Sequence, residues 1–320
     1  MKRRDLIPMA AIGVAGAWAL THQPKDERPK GPRTRSAVAV LSAQNYESDL
    51  AGILQRGLAE CKLDVRGKRV VLKPNLVEFD RNTCINTDAR VVAAAVEVFE
   101  RMGATSVSIA EGPGHRRDTL GIAAEAGYRK MIPGFERRFT DLNRDDVALV
   151  ENFMGDDPMY FPKTILGADL IVSMAKMKTH HWAGATLSMK NFFGLVPGSV
   201  YGWPKNQLHY YGIHESVVAL HRKFAAKSFA IVDGIVGMEG NGPIQGYPKH
   251  AGLLVLGRDL VAVDATCCRV MGLDPVKISY LTHALTGNFA PDWIDQRGEL
   301  PASVRKDFAL LPSFRDLRLV

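Results

Sequence analysis

Apolar positions along the chain fall into two alternating patterns. Short apolar runs at residues 36–42, 69–72, 107–110, 170–174, 228–232 and 253–256 predict buried strands. Between them the apolar residues recur at helical spacing, as in Leu50, Ile53, Leu54 and Leu58 within residues 48–61. Asp88 is placed to cap a helix running to Met102, with Gly103 as its stop. Further helices are expected over 119–126, 260–271 with Asp259 as N-cap, and 275–285 with its proline in the tolerated first turn. Residues 139–151 are less regular and predict short strands, and the tail beyond Gly287 predicts a surface-packed extension. Strands alternating with helices imply an α/β fold with a mainly parallel sheet, helices on both faces, and two lobes around a cleft. The body contains no internal repeat and no run long enough to span a membrane.

The first thirty-five residues follow a different pattern. Lys2, Arg3 and Arg4 precede an apolar, Ala- and Gly-rich stretch from Ile7 to Leu20. Such a stretch fits a signal peptide over residues 1–20. The Arg3-Arg4 pair followed by Asp5, Leu6 and Ile7 resembles a twin-arginine signal, which implies export of the folded chain by that translocation machinery. The destination would be the periplasm, or the membrane if the signal stays attached. Residues 21–35, rich in proline and charge, form the expected linker, and residues 36–320 the body.

The formal net charge of +7 raises the question of nucleic acid. Eight basic and three acidic residues lie within positions 1–35, which leaves 33 basic and 31 acidic residues in the body. A nearly neutral body has no basic footprint for nucleic acid. The four cysteines, Cys61, Cys84, Cys267 and Cys268, have no metal-ligand spacing and no iron–sulfur run, and small buried apolar roles suit them. A Cys61–Cys84 disulfide is open in an oxidising compartment.

Chemistry concentrates behind the strand at 170–174. Lys176, Lys178, His180, His181, Lys190 and Asn191 follow it within a short span, and ligands of open α/β sheets bind at strand carboxyl ends. Alternate residues of an extended chain share a face, so Lys176, Lys178 and His180 are expected along one wall. Lys73-Pro74-Asn75 closes another strand, and Glu111-Gly112-Pro113-Gly114 a third. The latter lacks both the GxGxxG spacing and the P-loop lysine. Asp233-Gly234 and Glu239-Gly240-Asn241-Gly242 place carboxylates among glycines that let backbone approach a ligand, suited to a divalent metal, acid–base work or pairing with lysine. Asp264 lies in an apolar stretch, where it would support a lysine or serve the site. His209 and His214 sit in an aromatic, Gly-rich segment that has the character of a lid.

These residues, in this order, resemble the family catalogued as domain of unknown function 362. The resemblance covers residues 70–283 and rests on Lys73-Pro74-Asn75-Leu76, Glu111-Gly112-Pro113, Lys178-Thr179-His180 and the run from Thr186 through Lys190-Asn191-Phe192-Phe193-Gly194 to Gly198. Lys205, His209, Asp233-Gly234, Glu239 to Pro243, and Asp259 to Ala265 complete it. The family name carries no activity. Relatives that carry an iron–sulfur module imply a redox partner, for which this chain has no cysteine run. A looser likeness to nickel-pincer lactate racemases transfers no residue role.

The resulting expectation is an anion-binding cleft. Lys73, Lys176, Lys178 and Lys190 would hold a phosphate or carboxylate, with Asn75 and Asn191 orienting it and Gly240 and Gly242 approaching it. His180, with Lys178 and Lys190, would carry proton transfer. Asp233 and Glu239 would hold a divalent metal, and Asp264 would support a lysine. Proton-transfer or redox chemistry on a small acid is one reading, since no GxSxG elbow or Cys/His pair is present. A non-catalytic protein that binds or delivers a cofactor or anionic metabolite is another, and a partner of an iron–sulfur redox protein a third.

Overall fold

A computed structural model describes residues 35–115, 118–285 and 293–320. The expected signal peptide, and all but the last residue of the expected linker, lie outside the described residues.

Eleven strands are present among the described residues: β1 (Ser36–Ser42), β2 (Arg69–Pro74), β3 (Ser106–Glu111), β4 (Phe139–Asp141), β5 (Val147–Met154), β6 (Asp157–Pro162), β7 (Leu170–His180), β8 (Gly184–Thr186), β9 (Ser228–Asn241), β10 (Gln245–Gly257) and β11 (Ile294–Gly298). Nine form one sheet in the order β11-β1-β10-β9-β7-β2-β3-β4, with β8 beside β7, and β5 and β6 form a separate hairpin. The run β9-β7-β2-β3-β4 is parallel throughout. Antiparallel pairing enters with β10 on its two neighbours and with β8 on β7.

Alternation along the strands feeds two cores, because successive side chains of a strand point to opposite faces. Val70, Leu72, Leu170 and Val172 face the helices α1 (Leu50–Glu60) and α2 (Ala89–Arg101). Val71, Ile171 and Val255 face α3 (Ile213–Phe224) and α4 (Leu260–Val270) on the other side. The helix starts are set by aspartates: Asp49 accepts from Gly52 N, Asp88 from Arg90 N, and Asp259 from Val261 N and Ala262 N. Each side chain takes up backbone donors that the helix leaves unpaired.

Several elements differ from the sequence expectation. β7 continues to His180, so the lysines and the first histidine lie on strand rather than loop. β9 and β10 run on through the glycine-rich segment as a long hairpin, whose pattern is hidden because Gly234, Gly237 and Gly240 carry no side chain. Gly237 has no room for one: a Cβ there would meet Met177 O at 2.7 Å. Residues 275–285 divide into a 3-10 turn, Pro275–Lys277, and a helix, Ser279–Leu285. The C-terminal tail adds β11 in parallel to β1 and buries Phe308. The cysteines are free, with Cys61 Sγ against Leu256 O and Cys84 Sγ against Gly237 O. Among the described residues no helix is long and apolar enough to cross a membrane.

Candidate functional site

Beyond the carboxyl ends of β2, β3 and β7 lies a cavity of about 780 Å³. Its lining combines the ends of those strands with the segments around Lys205 and Asn241. Of the expected residues, Lys73, Asn75, Lys178, His180, Lys190 and Asn191 line it. Lys176, Asp233, Glu239, Gly240, Gly242 and Asp264 do not.

The floor is a closed ion pair. Lys73 Nζ donates to Glu111 Oε2 at 2.6 Å, to Asn191 Oδ1 at 2.9 Å and to Pro74 O at 2.9 Å. Glu111 also accepts from Leu76 N and Gly112 N, and Asn191 Nδ2 returns a bond to Lys73 O. Burial lowers the Lys73 ammonium, and Glu111 offsets part of that. Gly194 packs so tightly on the pair that a Cβ would collide with Glu111 Oε1 and Lys73 Nζ. Lys73 therefore spends its charge inside the protein and ties β2 to β3.

The wall above is different. Lys178 is fully buried, and among the described residues its Nζ meets two carbonyls, Ile85 O at 2.9 Å and Pro243 O at 3.3 Å, and no carboxylate. Burial first, then the charges of Lys190 and Lys176, press its ammonium far below the usual lysine range. Lys190 Nζ lies 4.7 Å from the Phe193 ring centroid, a cation–π contact. Burial and the charge of Lys73 lower its ammonium to about 8. Thr186 pairs with Lys178 across the β7–β8 ladder and so shares its face.

The two histidines hold opposite tautomers. His180 Nδ1 accepts from Trp182 N at 3.0 Å and Ala183 N at 3.2 Å, so its proton sits on Nε2. Burial, then Lys190, His181 and Lys178, hold the ring neutral well below the ordinary histidine range. The near-neutral titration expected for His180 is thereby removed, and it offers an N–H donor instead. His181 Nδ1 donates to Gly242 O at 2.7 Å, so in the neutral ring the lone pair is on Nε2.

The remaining expected residues are engaged elsewhere. Lys176 Nζ meets Asp233 Oδ2 at 2.7 Å and Tyr46 OH at 2.8 Å. Burial alone would lower Lys176, but Asp233 and then Tyr46 keep it above the usual range. Asp233 further accepts from Tyr46 OH, Asp88 N and Ile235 N. Glu239 accepts from Ala309 N and pairs with Lys249 at 3.3 Å. These donor sets are a poor match for the expected divalent metal, since both Asp233 oxygens and Glu239 Oε2 already accept from lysine, tyrosine or N–H groups. Among the described residues no three His, Cys, Asp or Glu side chains gather as ligands. Asp264 supports no lysine: it accepts from Ser188 N, Ser188 Oγ and Met189 N. Gly242 serves its own loop, where a side chain would strike Thr179 O, and Gly240 O accepts from Thr179 Oγ1.

Among the lining residues to which the sequence assigned no role are Glu111, His181, Thr186 and Lys205. Lys205 Nζ donates to Asn143 Oδ1 at 2.6 Å and to Val196 O, and burial lowers it to about 7. The signal for Glu111 was its place at a strand end beside Gly112. Lys205 had none outside the family resemblance. Trp182 and His209 stand at the rim with ring centroids 6.0 Å apart.

The family model described as domain of unknown function (DUF362) matches residues 70–269, which include the lining residues from Lys73 to Gln245. A thylakoid-associated protein of Synechocystis sp. is 28% identical over 253 residues, covering 76% of each chain. Among solved structures, the lactate racemase apoprotein of Thermoanaerobacterium thermosaccharolyticum aligns over 78% of this chain and 61% of its own, with a TM-score of 0.47 and 14% identity. A Thermotoga maritima protein aligns over 71% and 59%, with a TM-score of 0.40 and 16% identity. The chain thus spans about three fifths of each of these two structures.

Proposed function

The chain belongs to the DUF362 family, and we propose that its cavity binds a small anionic molecule, with Lys178 and Lys190 meeting the negative charge. The observation that carries this reading is Lys178, a fully buried amine that lines the cavity with carbonyl partners and no carboxylate. Burial without a counter-ion holds the Lys178 amine neutral in the empty cavity. An anion arriving there supplies the counter-ion that lets the amine take up a proton and pair with it.

The histidines give the bound anion a chemistry. His180 Nε2–H is a donor for an oxyanion, and His181 Nε2 is an acceptor able to take a proton. Proton transfer on the bound acid follows from that pair. Capture without turnover is favoured by a separate observation: Glu111, the carboxylate at the floor, is consumed by Lys73 and cannot act as a base. Export by the twin-arginine route, supported by Arg3-Arg4, would place this binding outside the cytoplasm.

The test is calorimetric titration of the purified chain with a panel of phosphates and carboxylates, beside Lys178→Met. Binding in the wild type that weakens at least about tenfold in the variant supports the reading. A wild type that binds none of the panel, or a variant that binds equally well, overturns it.

A further inference from the structure

We propose that the anion is a phosphorylated polyol or sugar, whose hydroxyl groups are read by Asn75 and Thr186 beside the lysines. This rests on the anion-binding reading above and names its substrate class.

Two buried polar atoms of the cavity lining have no hydrogen-bond partner among the described residues: Asn75 Oδ1 and Thr186 Oγ1. The residues are 7% and 4% exposed, so bulk solvent does not satisfy them. Leaving a buried acceptor unpaired costs about 1–3 kcal/mol, and such atoms in an otherwise well-bonded wall call for an explanation. The neighbouring groups are bonded. Asn75 N donates to Thr87 Oγ1, Asn75 O accepts from Thr87 N, and the adjacent Asn191 and Ser173 are joined to one another. The two loose atoms therefore mark the ligand side of the wall.

Their chemistry points beyond a bare anion. The Asn75 amide offers Nδ2–H donors to an anion, but its Oδ1 only accepts. It requires a donor, and Thr186 Oγ1 is served equally by a donor or an acceptor. His181 also lines the cavity, and its neutral ring, with Nδ1 donating to Gly242 O, offers Nε2 as a third acceptor. The ligand must combine negative charge for the lysines with several O–H groups for these acceptors.

Charge and size select within that class. Lys178, Lys190 and Lys205 all line the cavity, and among the described residues no carboxylate is bonded to any of them. Three such amines suit a dianionic phosphate better than a single carboxylate. A volume of about 780 Å³ lies within the range of pockets for whole organic ligands, and exceeds what a three-carbon acid fills.

The test compares sorbitol 6-phosphate with n-hexyl phosphate, equal in charge and chain length and differing in hydroxyl groups, with gluconate as the carboxylate control. Titrations use the wild type, Asn75→Leu and the isosteric Thr186→Val, each checked by thermal unfolding. Sorbitol 6-phosphate is expected to bind about tenfold or more tightly than hexyl phosphate. Thr186→Val should lose most of that preference while holding hexyl phosphate affinity within about twofold. Thr186→Val carries the result if Asn75→Leu does not fold. Equal binding of the two phosphates, a preference untouched by Thr186→Val, or selective binding of gluconate overturns this inference alone. Failure of all three compounds to bind overturns the anion-binding reading with it.

Discussion

Lys176 and Lys178 stand two residues apart on β7, yet Lys176 closes on a carboxylate at 2.7 Å and Lys178 on none. The cause lies in the neighbouring strand. Lys176 pairs with Asp233 in the β7–β9 register, and Lys178 next pairs with Met238, so two residues of β7 face five of β9. β9 bulges between them. The bulge leaves the Asp233 carboxylate level with Lys176 and out of the cavity lining, where Lys178 meets only the carbonyls of Ile85 and Pro243.

This separation assigns the Lys176–Asp233 pair to stability. Both side chains are almost completely buried, and removing one partner of a buried pair leaves an uncompensated charge. Asp233→Asn should cost about 3–5 kcal/mol. Denaturant unfolding measures the loss, and titration of the folded variant should show anion affinity unchanged within about twofold. A marked fall in affinity at intact stability would return Asp233 to the binding site.

Lys178 should behave in the opposite way. Lys178→Met keeps the length of the chain and removes a buried amine that has no counter-charge, so stability should hold or rise by about 1 kcal/mol. Anion binding should fall at least about tenfold. Stability gained at the expense of binding is the signature of a functional residue held in an unfavourable setting. Unfolding curves with and without a bound phosphate measure both quantities in one experiment.

What was legible in the sequence was local. Lys73-Pro74-Asn75 marked a strand end because a buried apolar run stops at a proline, and β2 ends at Pro74. Asp88 and Asp259 were legible as caps because their partners lie two or three residues away. Lys176 and Lys178 were indistinguishable, since the bulge that separates them belongs to a strand 57 residues downstream. The role of Asp264 was hidden for the same reason: its donors, Ser188 and Met189, lie 76 and 75 residues upstream. β11 (IDQRG) carries no apolar alternation and is held to β1 through backbone pairing, so pattern had nothing to report.

Asp264 links the core to the site through that turn. It is buried among Ser188 N, Ser188 Oγ, Met189 N and Tyr280 OH, and Lys190 follows directly. Asp264→Ala strands these donors, each worth about 1–3 kcal/mol when buried and unpaired. Stability should drop by about 2–5 kcal/mol. Anion affinity should drop with it, because Lys190 loses its anchor. Asp264→Asn, which keeps one carbonyl acceptor, should recover part of both, as unfolding and titration of the two variants will measure.

Anion binding and intrinsic stability should respond to pH in opposite directions. Burial and the charge of Lys73 bring Lys190 from an ordinary value of 10.5 down to about 8 in the fold. Only the protonated amine attracts an anion, so affinity should be greatest below about pH 8 and fall as pH rises through it. Lys205, lowered to about 7 by burial, should start the decline earlier. Stability without ligand carries the reverse sign. Between about pH 8 and 10.5 the unfolded chain keeps the Lys190 proton that the folded chain has lost, so this residue's contribution rises with pH across that window. Lys190→Met should flatten the affinity profile above pH 8 and remove one proton's share of the stability slope between about pH 8 and 10.5, a slope to which Lys205, Lys178 and Lys73, all lowered by burial, also contribute. Titrations at closely spaced pH values, paired with unfolding in the same buffers, check the two slopes. An affinity that is level from pH 7 to 10 in the wild type would remove Lys190 from the anion site.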